Sequence, residues 1–335
     1  MPDLSPWGLD SATLRPVTDG LINQTWIVER PEGPAGVLQR LNTAIFRPEV
    51  HYDLLAVTEH LAAKGLPTPR LIPTLSGALW HQDGEGVFRL LTLIGDATHH
   101  TLADPAMARS AGALLGRFHA ALSDLEWSFR HVRGGVHDTP AHMAALEQTL
   151  SRQGDHRLYD QVAPLAAEAL AAWERLPPTG ALPPRALHGD PKLSNLRFLR
   201  GEAHALIDLD TLARGTLDAE LGDALRSWCN RATEDQEARL DLDLLRAALA
   251  GYAEAAELTA GEWDAIPTGL ERICWELTAR FAADALDEVR FGWAPRYGSR
   301  GAHNLARARG QASLARAVGK ARAEMYGVIA ALTGR

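Results

Sequence analysis

A short β-type island at residues 186–210 interrupts an otherwise helical chain, and it constrains the fold more than any other feature. The island holds two strand-like runs, RFL (197–199) and HALIDLD (204–210). Around it, apolar residues recur at helical spacing. Residues 104–122 and 159–176 precede it, and 218–230, 241–256, 262–290 and 304–332 follow it. The first 95 or so residues read differently. The run 21–29 (LINQTWIVE) is rich in β-formers, and 37–41 follows after PEGPAG, so the two predict a β-hairpin with a longer loop. Residues 48–63 predict a helix with Leu54, Leu55, Val57, Thr58 and Leu61 as its apolar stripe, ended by Gly65 and Pro67. Residues 69–73 and 86–94 are further strand candidates, joined by a polar, turn-rich segment. There is no internal repeat, low-complexity tract or long linker.

This pattern predicts an α+β molecule of two lobes. Residues 1–95 form a small β-rich N-terminal lobe, and 96–335 a larger, mostly helical C-terminal lobe. A strand hairpin in the middle of the helical lobe matches the plan of the protein-kinase-like fold. The length, 335 residues, suits two such lobes. A net charge of −8 disfavours nucleic acid as a partner, because phosphate neutralisation needs a basic face. The only cysteines, Cys229 and Cys274, make no disulfide framework, so a reducing cytoplasm is the expected location. No signal peptide is read at the start, and no apolar run approaches the roughly 18 residues of a membrane span. Oligomeric state is not legible.

The chemistry is carried by His188-Gly189-Asp190-Pro191-Lys192-Leu193-Ser194-Asn195, followed by Ile207-Asp208-Leu209-Asp210. Phosphoryl transfer needs a carboxylate to take the acceptor's proton, hard oxygen ligands for magnesium, and cations for the triphosphate. An H-x-D-x-x-x-x-N loop supplies one carboxylate and an amide oxygen, and an Asp after the next strand supplies a second metal ligand. That order and spacing are present here.

The pattern resembles the aminoglycoside phosphotransferase and choline kinase group of protein-kinase-like enzymes. Within that group it is most similar to the bacterial N-acetylhexosamine 1-kinases, in HGDPKLSN and IDLDT. The resemblance extends to Gly20, Ile22, Asn23, Thr25, Trp26 and Val28, to Leu38–Asn42 and Phe46, to Val57–Leu61, to Val136–Thr139, and to His303–Leu314. It implies an ATP- and Mg2+-dependent kinase of a small molecule, with a sugar hydroxyl as acceptor. Asp190 is the implied base and Lys192 the cation near the γ-phosphate. Asn195 and Asp208 are the implied metal ligands. Gly20, Asn23 and Thr25 would meet the phosphates. Arg40 stands where the fold places a phosphate-pairing Lys, with Glu59 as its ion-pair partner. The adenine would lie against 91–95. Asp210, His137 and Arg307 are candidate substrate residues.

Plainer readings stand beside these. His188 would pin the loop. Arg40 and Glu59 also read as an ordinary surface pair, Asp210 and Thr211 as a turn cap, and His137, Asp138 and Thr139 as a helix N-terminus before Pro140. Arg307 and Arg309 cannot share a helix face. Trp228, Trp275, Trp293 and Tyr297 read as core or as a stacking face for a sugar. The acceptor could instead be an aminoglycoside, choline or homoserine. A cationic acceptor would need converging carboxylates from among Asp218, Glu220, Asp223, Asp284, Asp287 and Glu288. The missing strand Lys and thin Gly loop leave a nucleotide-binding pseudokinase as a further alternative.

Overall fold

The structure, a computed structural model, describes residues 2–17 and 22–335. Strands β1 (Thr13–Val17), β2 (Gln24–Arg30), β3 (Gly33–Arg40), β4 (Leu71–Ile72), β5 (His81–Asp83) and β6 (Gly86–Leu91) form one antiparallel sheet. The order is β1-β2-β3-β6-β4, with β5 also on β6. β1 had no counterpart in the sequence reading. It is an edge strand carrying Pro16, a position where a missing N–H is tolerated.

The hairpin differs from its expected form. β2 and β3 are joined by a tight turn at 31–32, and most of PEGPAG lies in β3. Gly36 explains this. A Cβ there would lie 2.7 Å from the Leu91 carbonyl oxygen, so glycine here lets strands approach rather than ending one.

Period-two alternation gives the sheet two faces. Val28, Leu38, Phe88 and Leu90 bury the outer face under Leu4, Trp7 and Leu9. Thr25, Ile27, Val37, Gln39, Arg89 and Leu91 line the inner face. Helix α1 (Val50–Ala63) packs beside it. Buried Asp53 ties α1 to the far lobe by accepting from Trp127 Nε1 and from the backbone N–H groups of Arg130 and His131, each at 2.8 Å.

After the connection at 92–101 come α2 (Pro105–Ala121), α3 (Thr139–Arg152) and α4 (Tyr159–Arg175). The island follows as β7 (Arg185–Leu187), β8 (Leu196–Leu199), β9 (Glu202–Leu206) and β10 (Ala213–Gly215), paired β8-β9 and β7-β10. Helices α5 (Leu217–Trp228), α6 (Leu242–Ala255), α7 (Ala260–Asp287) and α8 (Arg300–Thr333) complete the chain. Five of the eight described helices begin at a side-chain cap. Asp104, Asp138, Asp241 and Ser299 accept N-terminal N–H groups, and Thr259 with Glu262 forms a capping box. α7 is buried along most of its length and carries Glu276 into the interior. Among the described residues no helix is long and apolar enough to cross a membrane.

Candidate active site

β7 runs straight into the loop that carries the motif, and the loop is pinned from several sides. Glu220 on α5 is fully buried and accepts from the backbone N–H of His188 at 2.8 Å and of Gly189 at 2.9 Å. Nδ1 of His188 accepts from the Asp190 N–H at 3.2 Å, so its Nε2 carries the proton given to the Ile207 carbonyl at 2.9 Å. Thr211 donates its hydroxyl to the His188 carbonyl at 2.8 Å. Gly189 sits at φ +84°, and a Cβ there would lie 2.3 Å from the Thr211 carbonyl oxygen. Only glycine lets the two turns pack this closely. Trp228 supports the loop from beneath, its indole donating to the Pro191 carbonyl at 3.0 Å.

The Asp190 carboxylate makes an ion pair with Lys192 through Oδ2, which also accepts from Asn195 Nδ2 at 3.2 Å. Among the described residues Oδ1 has no partner. Burial alone would raise this carboxyl, but the adjacent Lys192 ammonium overrides it and holds it at about 2. Burial likewise opposes the Lys192 charge, and Asp190 and Asp208 raise it.

Asp208 adopts φ +62°, a left-handed backbone rarely held by a residue with a side chain. Its carboxylate has no hydrogen-bond partner among the described residues. Burial, and then the charges of Asp210 and Asp190, push it above the usual carboxylate range. Asn195 commits its amide nitrogen to Asp190, and among the described residues its amide oxygen has no donor. Both residues line one cavity of about 460 Å³ between the inner sheet face and the helical lobe, with Lys192 beside them. An uncompensated carboxylate and a free amide oxygen fit magnesium, which needs only one or two protein oxygens besides phosphate. Leu91, Thr92, Leu93 and Ile94 line the same cavity, as the adenine reading requires.

The small-lobe charges differ from the sequence reading. Arg40 shares the outer face with Leu38, lies over Gly86, is exposed, and donates to Gln24 at 3.4 Å. Glu59 is exposed and pairs with Arg70 at 3.5 Å. The two do not meet, and neither lines the cavity. Strand alternation is the reason: the inward residue is Gln39. Opposite it on β6 stands Arg89, buried to 1% exposure and bonded to Asp210 at 2.6 and 2.7 Å. Burial raises Asp210, and Arg89 more than reverses this. Asn23 is also committed: Nδ2 donates to Asp210 at 2.8 Å and Oδ1 accepts from the Asn42 N–H at 2.9 Å. It bridges segments and lines the cavity, with its second amide N–H not used by these bonds. Thr25 lines the cavity and accepts from Gln39 at 3.3 Å, keeping its own hydroxyl proton. Gly20 lies outside the described residues.

On the helical side, His137 Nδ1 lies 3.2 Å from buried Glu276, which also accepts from Thr139 at 2.7 Å and Arg280 at 3.3 Å. Nε2 of His137 is buried without a partner among the described residues. Asp138 caps α3, so the cap reading and the inward His137 hold together. Arg307 is buried, donates to the Gly292 carbonyl at 2.8 Å and lies 3.5 Å from Glu234. Glu234 lies 3.6 Å from Arg226, itself 2.7 Å from Asp223. Arg309 points to Gln161 on the outside. Arg226 and Arg133, whose charges both reach Asp190, went unread because nothing in their local sequence marks them.

A model of the phosphotransferase enzyme family (APH) matches residues 13–258. A homoserine kinase of Acidiphilium cryptum (strain JF-5) is 25% identical over 261 residues, 76% of this chain and 75% of the relative. Two solved structures share the fold. An aminoglycoside phosphotransferase from Alicyclobacillus acidocaldarius subsp. acidocaldarius DSM 446 aligns with TM-score 0.61 and 17% identity, over 97% of this chain and 94% of the other. An amicoumacin kinase in complex with AMP-PNP and Ca2+ aligns with TM-score 0.62 and 13% identity, over 90% and 87%.

Proposed function

Because this chain belongs to the phosphotransferase enzyme family, we propose that its cavity binds Mg-ATP and passes the γ-phosphoryl group to a sugar hydroxyl. The chain is a small-molecule kinase with an alcohol group as acceptor. The observation that carries the reading is the meeting of Asp190, Lys192, Asn195 and Asp208 beneath one sheet face.

In this reading residues 1–95 hold the nucleotide and 96–335 supply the acceptor site. Asn195 and Asp208 hold magnesium. When bound, Mg-ATP supplies the phosphoryl group with its charge partly neutralised. The free Oδ1 of Asp190 accepts the hydroxyl proton as the acceptor oxygen bonds to phosphorus and the bond to ADP breaks. Lys192 keeps Asp190 ionised and faces the charge that develops on the phosphoryl oxygens.

A neutral acceptor is favoured by the state of the acidic residues. Asp218 pairs with Arg272, Asp223 with Arg226, Asp287 with Arg152 and Glu288 with Arg157. Glu220 holds the loop, and Asp284 accepts three backbone N–H groups. They do not converge on a free negative site of the kind a cationic acceptor needs. Glu276 is likewise taken up, by His137, Thr139 and Arg280. Homoserine is the second reading, favoured by the curated relatives.

ADP release from Mg-ATP tests the proposal, with N-acetylglucosamine, N-acetylgalactosamine, glucose, galactose, kanamycin, choline and homoserine in separate reactions. Sugar-dependent release supports it. Release with homoserine or a cationic acceptor alone overturns the sugar assignment.

A further inference from the structure

Asp210, on the turn bearing Asp208, is held directly by two segments of the small lobe, one of them braced by a third. Asn23, just before β2, donates to its Oδ2. Arg89 on β6 grips both oxygens. Gln39 on β3 holds the Arg89 guanidinium from the other side, its Oε1 accepting at 2.9 and 2.7 Å. Four hydrogen bonds thus engage the donors of Arg89, which has five N–H groups in all. No fork remains for a phosphate. Both Asp210 oxygens are likewise engaged, and Asp210 is not among the residues lining the cavity, so it stands as a tie between lobes rather than as the substrate residue the sequence offered. His51 on α1 is fully buried nearby, and burial followed by the Arg89 charge lowers it to about 4. It is therefore neutral at physiological pH, and Arg89 meets Asp210 without a competing cation.

We propose that Arg89 is a positioning residue whose forked pair with Asp210 sets the height of the small-lobe sheet above the Asp208 turn, and so the depth of the phosphate gap. The proposal rests on reading the cavity as the Mg-nucleotide site. The geometry supports a positional role over mere cohesion. Attachment through two segments, with Arg89 braced from a third by Gln39, fixes height and tilt together. A guanidinium fork is directional, whereas an apolar contact of the same size is not. Arg89 also lies just before the connection at 92–101, so its pair constrains the sheet close to the point where the chain passes between lobes.

The test compares wild type, Arg89→Lys and the double variant Arg89→Met/Asp210→Leu. Removing one charge of a buried pair strands the other, whereas replacing both with apolar groups spares the fold. Calorimetric titration with Mg-AMP-PNP gives the nucleotide Kd, thermal melting reports folding, and the acceptor KM is measured beside them. The double variant is expected to melt within a few degrees of wild type, to bind Mg-AMP-PNP about tenfold more weakly, and to keep its acceptor KM within about twofold. Arg89→Lys keeps the charge, loses the fork, and is expected to weaken the nucleotide by about fivefold with the fold intact. Either folded variant binding Mg-AMP-PNP within about twofold of wild type would overturn the positioning role and leave only cohesion. Wild-type protein that binds no Mg-AMP-PNP would overturn the cavity reading itself, and the positioning role with it.

Discussion

The catalytic loop and the small-lobe sheet face each other across one cavity, yet they place their charges by different rules. The loop builds its constellation locally. Asp190, Lys192 and Asn195 lie within six residues, and the strand pair β8-β9 returns Asp208 to them. The sheet builds its charge site from distant segments: Asn23 and Arg89 converge on Asp210, and Gln39 braces Arg89 from behind. Sequence spacing describes the first arrangement. The second depends on strand register, where one residue's difference moves a side chain to the opposite face. Arg40 and Gln39 are neighbours in sequence, and only Gln39 faces the cavity.

The comparison breaks most sharply at the loop. Asp190→Asn is expected to lower kcat by about a thousandfold or more while nucleotide Kd changes little, because only the proton acceptor is lost. Steady-state rates with calorimetric binding check this. The pH dependence sharpens it. Lys192 holds the Asp190 carboxyl at about 2, below its ordinary 3.8, so the base is ionised at every working pH. Its contribution to stability is present above 3.8 and disappears as pH falls through about 2. The kcat profile should therefore show no acid limb near pH 4 from this group, and the loss in Asp190→Asn should be constant between about pH 5 and 8.

Asp208→Ala is the next largest effect. It should weaken nucleotide binding about a hundredfold with magnesium present and little with magnesium absent, as paired titrations would show. An equal loss relative to wild type in the two conditions would remove Asp208 from the metal site.

Glu220→Gln probes the support of the loop. It keeps shape and removes the charge that gathers two backbone N–H groups and faces His119 at 3.2 Å. A fall of about tenfold in kcat is expected, with a melting temperature lower by several degrees. The smallest effects belong to the outer face. Arg40→Met and Glu59→Gln should each change kcat and nucleotide KM by less than about twofold, since both side chains are exposed and paired away from the cavity.

These contrasts locate what the sequence made legible. The two-lobed α+β plan was readable because helical period, strand composition and the island at 186–210 are local signals, and five of the eight described helices begin at side-chain caps. The meeting of Asp190, Lys192 and Asn195 in one loop was readable for the same reason. β1 and the tight β2-β3 turn were not: Pro16 and the glycines of PEGPAG imitate breaks, and only cross-strand packing at Gly36 reveals a strand. Arg89 carried no local mark at all. It reads as one charged residue among VFRLL, and its meaning comes from Asp210, 121 residues further on.

The central claim is that one cavity moves a phosphoryl group to an alcohol with Asp190 as base. Phosphorus-31 NMR of Mg-ATP with N-acetylglucosamine or N-acetylgalactosamine tests it most directly, run in parallel with wild type and Asp190→Asn. The account predicts a growing phosphate-ester resonance matched by ADP in the wild type and none over the same period in the variant. An ester that accumulates equally fast in both would contradict the role of Asp190. ADP with inorganic phosphate and no ester would contradict transfer to the sugar.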